Sequence, residues 1–213
     1  DVAVADELRV VYGAPSIQER LEIPDGDRPS RLLEFQISPF SFFQTNTLAT
    51  ERLYGAIRAW VRRVRPTHLY DLYGGAGGIA FSCADLVQQV WSVETVASAS
   101  EDGRANAARN GIDNVAFITE KVKNYLLALR EGTGLAPDAA VVVDPARSGM
   151  HPKERQRLRQ LAPAHVLYVS CNPKILAQEL PEFLEDYDLE RLEGFDLFPH
   201  TRHVEVVAAL RRR

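Results

Sequence analysis

From residue 68 onward, short apolar runs alternate with helix-forming stretches, and this rhythm restricts the fold more tightly than any other feature of the chain. The apolar runs lie at 68–72, 90–93, 115–118, 139–143 and 165–169. Stretches rich in Ala, Leu and Arg follow them, near 79–88, 97–109, 121–130, 153–161 and 174–184. Strands alternating with helices imply a parallel, doubly wound α/β sheet. The ending differs. LERLEGFDLF and HVEVVAALRR read as two strands with no helix between them, so an antiparallel hairpin is expected at one sheet edge. Ahead of the alternation, Leu48, Leu53, Ile57, Trp60, Val61 and Val64 share one helical face. Residues 7–37 read as β-rich, with LRVVYG, SIQERLEI and RLLEFQIS separated by turn residues.

Composition bounds what such a chain does. Its 213 residues suffice for one large domain with a sizeable core. No apolar run approaches the roughly 18 residues needed to span a membrane, and no signal peptide is evident. Two cysteines exclude a disulfide framework and a four-cysteine metal or iron–sulfur site, so a reducing, cytoplasmic setting is expected. The net charge of −4 argues against coating nucleic acid by bulk electrostatics. The basic clusters Arg62–Arg63–Arg65, Lys153–Arg155–Arg157–Arg159 and Arg211–Arg213 read first as solvated faces and a tail. No obligate protein partner is evident.

LYDLYGGAGGIA follows the first strand of the alternating part. Gly75, Gly77 and Ala80 fit G-x-G-x-x-G/A, a loop that lets backbone approach a ligand at a helix start. Glu94 ends the next strand, where an acid can accept hydrogen bonds from ribose hydroxyls. A tight turn without a ligand is the plainer alternative. NAD and S-adenosylmethionine both carry an adenosine, so the loop leaves the cofactor open.

VVVDPARSG puts Asp144 at the carboxyl end of another strand, where ligands of open α/β sheets bind. No aromatic follows Pro145 to stack on an extruded base, which argues against exocyclic-amine chemistry. Cys171 follows the next strand on the same sheet edge. Asn172 is expected to cap the following helix and Pro173 to occupy its first turn. A thiol beside a helix N-terminus is expected to be more acidic than usual. Cys83, among Phe81, Ala84 and Leu86, reads as a small buried hydrophobe. Near the C-terminus, Thr201, His203 and Glu205 alternate onto one strand face. Glu205, among valines, is expected to be desolvated and hence a better base, the alternative being a paired or exposed strand acid. His200 and His203 have no further ligand cluster in sequence, so no metal is expected.

SPFSFFQTN, DLYGGAGG, DPARSG, YVSCNP and DLFPHTRHVE together resemble the RNA uracil-5-methyltransferase family, in order and from about residue 30 to the C-terminus. The pairing of SCNP with FPHT-x-HVE is the specific part. The resemblance implies a class I S-adenosylmethionine-dependent methyltransferase fold, Rossmann-like, with a seven-stranded sheet. It implies residues 38–213 as the catalytic domain and 1–37 as the remnant of a central β subdomain. By position it makes Cys171 the nucleophile and Glu205 the general base. It gives Gln44, Tyr73, Glu94 and Asp144, with Gly75 and Gly77 of the loop, to S-adenosylmethionine, leaving S-adenosylhomocysteine as product. The expected substrate is uridine C5 in rRNA or tRNA. Family members carry an N-terminal RNA-binding β-barrel or an upstream iron–sulfur cluster, so this chain is expected to be part of a longer protein. Alone it is expected to bind RNA weakly, through patches such as Arg155, Arg159 and Arg202. The competing readings are an NAD-dependent oxidoreductase and a catalytically silent RNA- or cofactor-binding module.

Overall fold

The computed structural model describes residues 13–39 and 41–213. The expected strand at LRVVYG falls almost wholly outside them. An antiparallel pair comes first, β1 (Ile17–Asp25) and β2 (Arg28–Ile37), then α1 (Thr47–Val64). The alternating part runs β3 (His68–Leu72), α2 (Gly78–Cys83), β4 (Gln89–Glu94), α3 (Ala97–Arg109), β5 (Val115–Thr119) and α4 (Val122–Glu131). It continues with β6 (Ala139–Val143), α5 (Pro152–Leu161), β7 (His165–Ser170) and α6 (Pro173–Phe183). The chain closes with β8 (Tyr187–Phe195) and β9 (Glu205–Arg212).

The large sheet has seven strands in the order β5-β4-β3-β6-β7-β9-β8. All its neighbouring pairs are parallel except those made by β9. The final hairpin is therefore threaded into the sheet, with β9 between β7 and β8. Strand order reverses at β3, which leaves a crevice at the carboxyl ends of β3 and β6. β3 pairs in matching register with both neighbours, Leu72 lying beside Val93 and Val143. The ends of the three strands are thus level. β6 reads AAVVV and is buried throughout, as a central parallel strand covered on both faces must be.

Two apolar layers flank the sheet. One joins α1, α2 and the small β1–β2 sheet through residues such as Leu21, Phe35, Leu53, Ile57 and Phe81. The other packs α4, α5 and α6 through Leu126, Leu158, Leu176 and Phe183. The helical face expected of α1 is buried at Leu53, Ile57, Trp60 and Val61, but Leu48 is 70% exposed in the first turn. Cys83 closes α2, fully buried, and burial pushes its thiol up to about 12.

Ion pairs tie several elements together, and they include three arginines read as solvated, Arg62, Arg155 and Arg159. Arg58, 3% exposed, donates to both Asp85 oxygens at 2.6 and 2.7 Å, to Asp25 at 3.0 Å and to the Ser82 carbonyl at 2.7 Å. Arg62 also pairs with Asp25. Arg155 is buried against Glu179 and Glu182, and Arg159 pairs with Glu185 and Asp186. The sequence hides this because the partners lie on other elements.

Burial alone would raise the Asp25 and Asp85 carboxyls, but bonds to Arg58 outweigh it and hold both below their ordinary range. Arg58→Ala removes the bidentate partner of Asp85 and leaves buried Asp25 with Arg62 alone, and a loss of about 1–3 kcal/mol is expected from urea melts at neutral pH. Because the folded-state carboxyls are depressed, the stabilisation is full above their unfolded values and is lost as pH falls through the folded ones. The gap between wild type and Arg58→Ala should therefore close on acidification. A gap that stays constant with pH would remove the ion pairs as its cause.

Candidate active site

The crevice is built from the turn after β3. Tyr73 adopts a left-handed backbone (φ 69°), as do Gly75 and Gly77. For a tyrosine this is an uncommon conformation, of the kind that persists where surrounding structure enforces it. A side chain at Gly74 would collide with Ser92 Oγ, so the chain passes directly over β4. Gly77 serves the turn itself: it starts α2 in the left-handed region and does not line the cleft. Glu94 fastens the loop. Its Oε2 accepts from Gly75 N–H at 3.0 Å and its Oε1 from Val96 N–H at 2.7 Å. Each oxygen keeps a lone pair for a ligand hydroxyl.

A cleft of about 450 Å³ opens here, within the range of small-molecule sites. Gln44, Tyr73, Gly75, Glu94, Asp144, Cys171 and Glu205 all line it. So seven positions scattered over more than 160 residues of sequence converge. Phe42, 70% exposed, and Arg147 complete the wall. Neither was picked out from sequence. Phe42 stands in the same SFFQTN segment as Gln44, and Arg147 follows Asp144 by three residues, so position was the available signal for both.

Cys171 and Glu205 come together because β9 is antiparallel. Ser170, the last residue of β7, pairs with Val206, the second of β9. The residue after one strand thereby neighbours the residue that begins the other. Glu205 is this first strand residue, not an interior one. Thr201 and His203 precede the strand, in a bend and in irregular backbone, so the expected shared strand face does not exist. His203 instead accepts a hydrogen bond from Arg147 at Nδ1, 3.0 Å away. Asn172 does not cap α6 with its side chain; that amide donates to the Arg147 carbonyl at 3.1 Å.

The electrostatics are dominated by desolvated carboxyls. Glu205 is 3% exposed, burial raises its pKa, and its Oε2 has no hydrogen-bond partner among the described residues. Burial pushes Asp144 up to about 8, helped by the nearby Glu205 and Asp71. Asp71, at 0% exposure beneath the glycine loop, is pushed to about 7 by burial, against the pull of hydrogen bonds that include Ser92. The Cys171 thiol is raised, not lowered as the helix N-terminus suggested. Burial leads, Glu205 and Asp144 add to it, and Arg147 opposes them without prevailing. The sequence could not weigh these carboxyls because they arrive from other strands. Among the described residues no group of three or more His, Cys, Asp or Glu is arranged to hold a metal ion, and no helix is long and apolar enough to cross a membrane.

Comparison with known proteins agrees with this architecture. The model of the tRNA (uracil-5-)-methyltransferase family matches residues 2–213. An uncharacterised RNA methyltransferase of Caldanaerobacter subterraneus subsp. tengcongensis is 37% identical over 213 residues, covering 100% of this chain and 44% of the relative. The 23S rRNA (uracil(747)-C(5))-methyltransferase RlmC of Vibrio cholerae is 38% identical over 177 residues, 83% of this chain and 46% of its own length. Among solved structures, Pyrococcus abyssi tRNA (uracil-54, C5)-methyltransferase in complex with S-adenosyl-L-homocysteine superposes with a TM-score of 0.75. It shares 30% identity over 99% of this chain and 47% of that one. The chain spans about half the length of the relatives it matches.

The raised Cys171 thiol gives a direct test. Alkylation by iodoacetamide proceeds through the thiolate. At neutral pH Cys171 should react slowly, and its rate should climb with pH. Glu205→Gln removes a carboxyl that holds the pKa up, so more thiolate forms at a given pH and alkylation should accelerate several-fold. Peptide mass mapping separates Cys171 from buried Cys83. An unchanged or slower rate in Glu205→Gln would contradict the electrostatic account.

Proposed function

The chain belongs to the tRNA (uracil-5-)-methyltransferase family, and from that premise we propose that its cleft methylates C5 of uridine in a structured RNA, with S-adenosylmethionine as methyl donor. The observation that carries the proposal is the meeting of Cys171 and Glu205 in one cleft with Glu94 and Asp144. Relatives named for rRNA and for tRNA are both similar to this chain, so the proposed substrate class is structured RNA. The oxidoreductase reading falls with family membership.

The cleft suits the cofactor. Glu94 has lone pairs free for ribose hydroxyls, and the bare backbone of Gly74 and Gly75 allows close approach. Asp144 and Glu205, with Asp71 behind them, suit a cationic ligand. Gln44 and Tyr73 supply the remaining contacts. S-adenosylmethionine, when bound, supplies an electrophilic methyl group.

C5 of uracil is a poor nucleophile. The Cys171 thiolate adds to C6, forming an Sγ–C6 bond and turning the C5=C6 double bond into an enolate, which makes C5 nucleophilic enough to take a methyl group. C5 then carries both methyl and hydrogen. Glu205 removes that proton, the double bond re-forms, and the Sγ–C6 bond breaks to release the thiolate. Desolvation of Glu205 makes it the stronger base this step needs. The base must leave its stack to reach Cys171. RNA contacts fall to exposed cations near the cleft, Arg147, Arg202 and Lys174. Arg155 and Arg159, named from sequence, are spent on carboxylates of this same chain.

The two catalytic groups act at different steps, so their loss should differ. Cys171→Ala should abolish methylation with no covalent RNA complex. Glu205→Gln should still add and methylate, then stall, leaving protein and RNA joined through denaturing electrophoresis. Label from the methyl donor should appear in that band and vanish in the double variant. Normal turnover by Glu205→Gln would remove Glu205 as the base.

A second expectation concerns the cofactor. Asp144→Ala and Glu94→Ala should each weaken S-adenosylhomocysteine binding by roughly 1–3 kcal/mol in calorimetry. Unchanged affinity in both would displace the site.

A further inference from the structure

The β1–β2 pair has two open edges, and α3 closes one of them with side chains. Asn110 Oδ1 accepts from Glu34 N–H at 2.9 Å while its Nδ2 donates to the Glu34 carbonyl at 2.7 Å. Asn106 does the same for Gln36, at 2.7 and 2.9 Å. One helical turn earlier, Asp102 Oδ2 accepts from Ser38 N–H at 2.8 Å. Helix positions four apart rise about 6 Å and strand positions two apart about 6.7 Å, so the rungs stay in step.

Asp102 does more than its two companions. Its Oδ1 also accepts from Ser38 Oγ at 2.7 Å, and its Oδ2 from Ser41 Oγ at 2.5 Å. Asp102 is 7% exposed, so it serves these donors away from bulk water. The segment it grips lies between β2 and α1 and belongs to neither. Ser41 N–H donates to the Ser38 carbonyl at 3.0 Å within it. The next residues are cleft wall: Phe42 and Gln44 line the cavity, and the Phe42 carbonyl oxygen lies 3.6 Å from where a Cβ on Gly75 would stand.

We propose that Asp102 is a positioning residue that clamps Ser38 and Ser41, so that Phe42 and Gln44 form one wall of the cleft. The clamp stands on α3, which starts three residues after Glu94, so the Phe42–Gln44 wall and the strand end bearing Glu94 are tied to one helix. The proposal rests on the cleft being the S-adenosylmethionine site. Without the clamp, binding must also order the segment, and that cost appears as lost affinity.

The test compares rungs of one ladder. S-adenosylhomocysteine affinity by calorimetry and melting temperature are measured for wild type, Asp102→Ala, Asp102→Asn, Asn106→Ala and Ser41→Ala. An asparagine can accept at the Oδ2 position and donate to Ser38 Oγ from the other, so it should stay within about threefold of wild type. Asp102→Ala should lose at least tenfold in affinity, and Ser41→Ala, which leaves the helix intact, about threefold. Asn106→Ala should melt earlier by a margin comparable to Asp102→Ala yet bind within twofold of wild type. Equal affinity in wild type and Asp102→Ala, or losses that simply track melting temperature across all variants, would overturn the clamp. Should Asp102→Ala not fold, Ser41→Ala decides by the same comparison. A wild type that does not bind S-adenosylhomocysteine would overturn the functional reading itself.

Discussion

The site depends on one feature of strand pairing: a single antiparallel strand inserted among parallel ones. Parallel strands bring their carboxyl ends to one edge of a sheet, and residues just past those ends can share a crevice. Asp144, Glu94 and Cys171 all arrive in this way. A residue at the start of a strand reaches the same edge only if its strand runs backwards. β9 does so beside β7, and Glu205 therefore stands next to the segment holding Cys171.

Bringing these groups together has an electrostatic consequence. Asp71, Asp144 and Glu205 are desolvated close to one another, and each is raised above its ordinary range. Burial raises the Cys171 thiol, and Glu205 and Asp144 add to it. Arg147 is the cation acting against it, and that guanidinium also bonds His203. The resting cleft thus favours its neutral forms. A cationic ligand would offset the carboxyls and move Cys171 toward thiolate when the cofactor is in place. The raised Glu205 carboxyl and the raised Cys171 thiol share a cause, burial in a low-dielectric cleft, to which neighbouring carboxylates add at the thiol.

Away from the cleft, polar side chains stitch elements together. The open edge of β2 is satisfied by Asp102, Asn106 and Asn110 of α3, and on β1 the Glu22 N–H donates to Glu51 of α1 at 2.7 Å. Helices thus cover edges that would otherwise template pairing with other chains. Arg58 and Arg155 act similarly for their helices, each buried among carboxylates of distant elements. These contacts tie the small sheet and the loop after it to the large sheet that carries the chemistry.

The order and kind of the elements from β3 to β9 were legible in the sequence, because apolar period and turn residues report local conformation directly. The convergence of the glycine loop, Glu94, Asp144 and Cys171 on one sheet edge was legible too, since the carboxyl ends of parallel strands all face that edge, whereas Glu205 joins them only because β9 runs backwards. Charge state and partnership were not. The acidified cysteine, the Asn172 cap and the free arginines at 155 and 159 were each inferred from local sequence. Each was reversed by what the fold packs around it: burial, with Glu205 and Asp144, at Cys171, the Arg147 carbonyl at Asn172, Glu179 and Glu185 at the arginines. Asp102 gave no sequence signal, being an ordinary helical acid until α3 is laid along β2. Periodicity is a property of neighbours along the chain, whereas desolvation and hydrogen bonding depend on neighbours in space, and only the tertiary structure decides who those are.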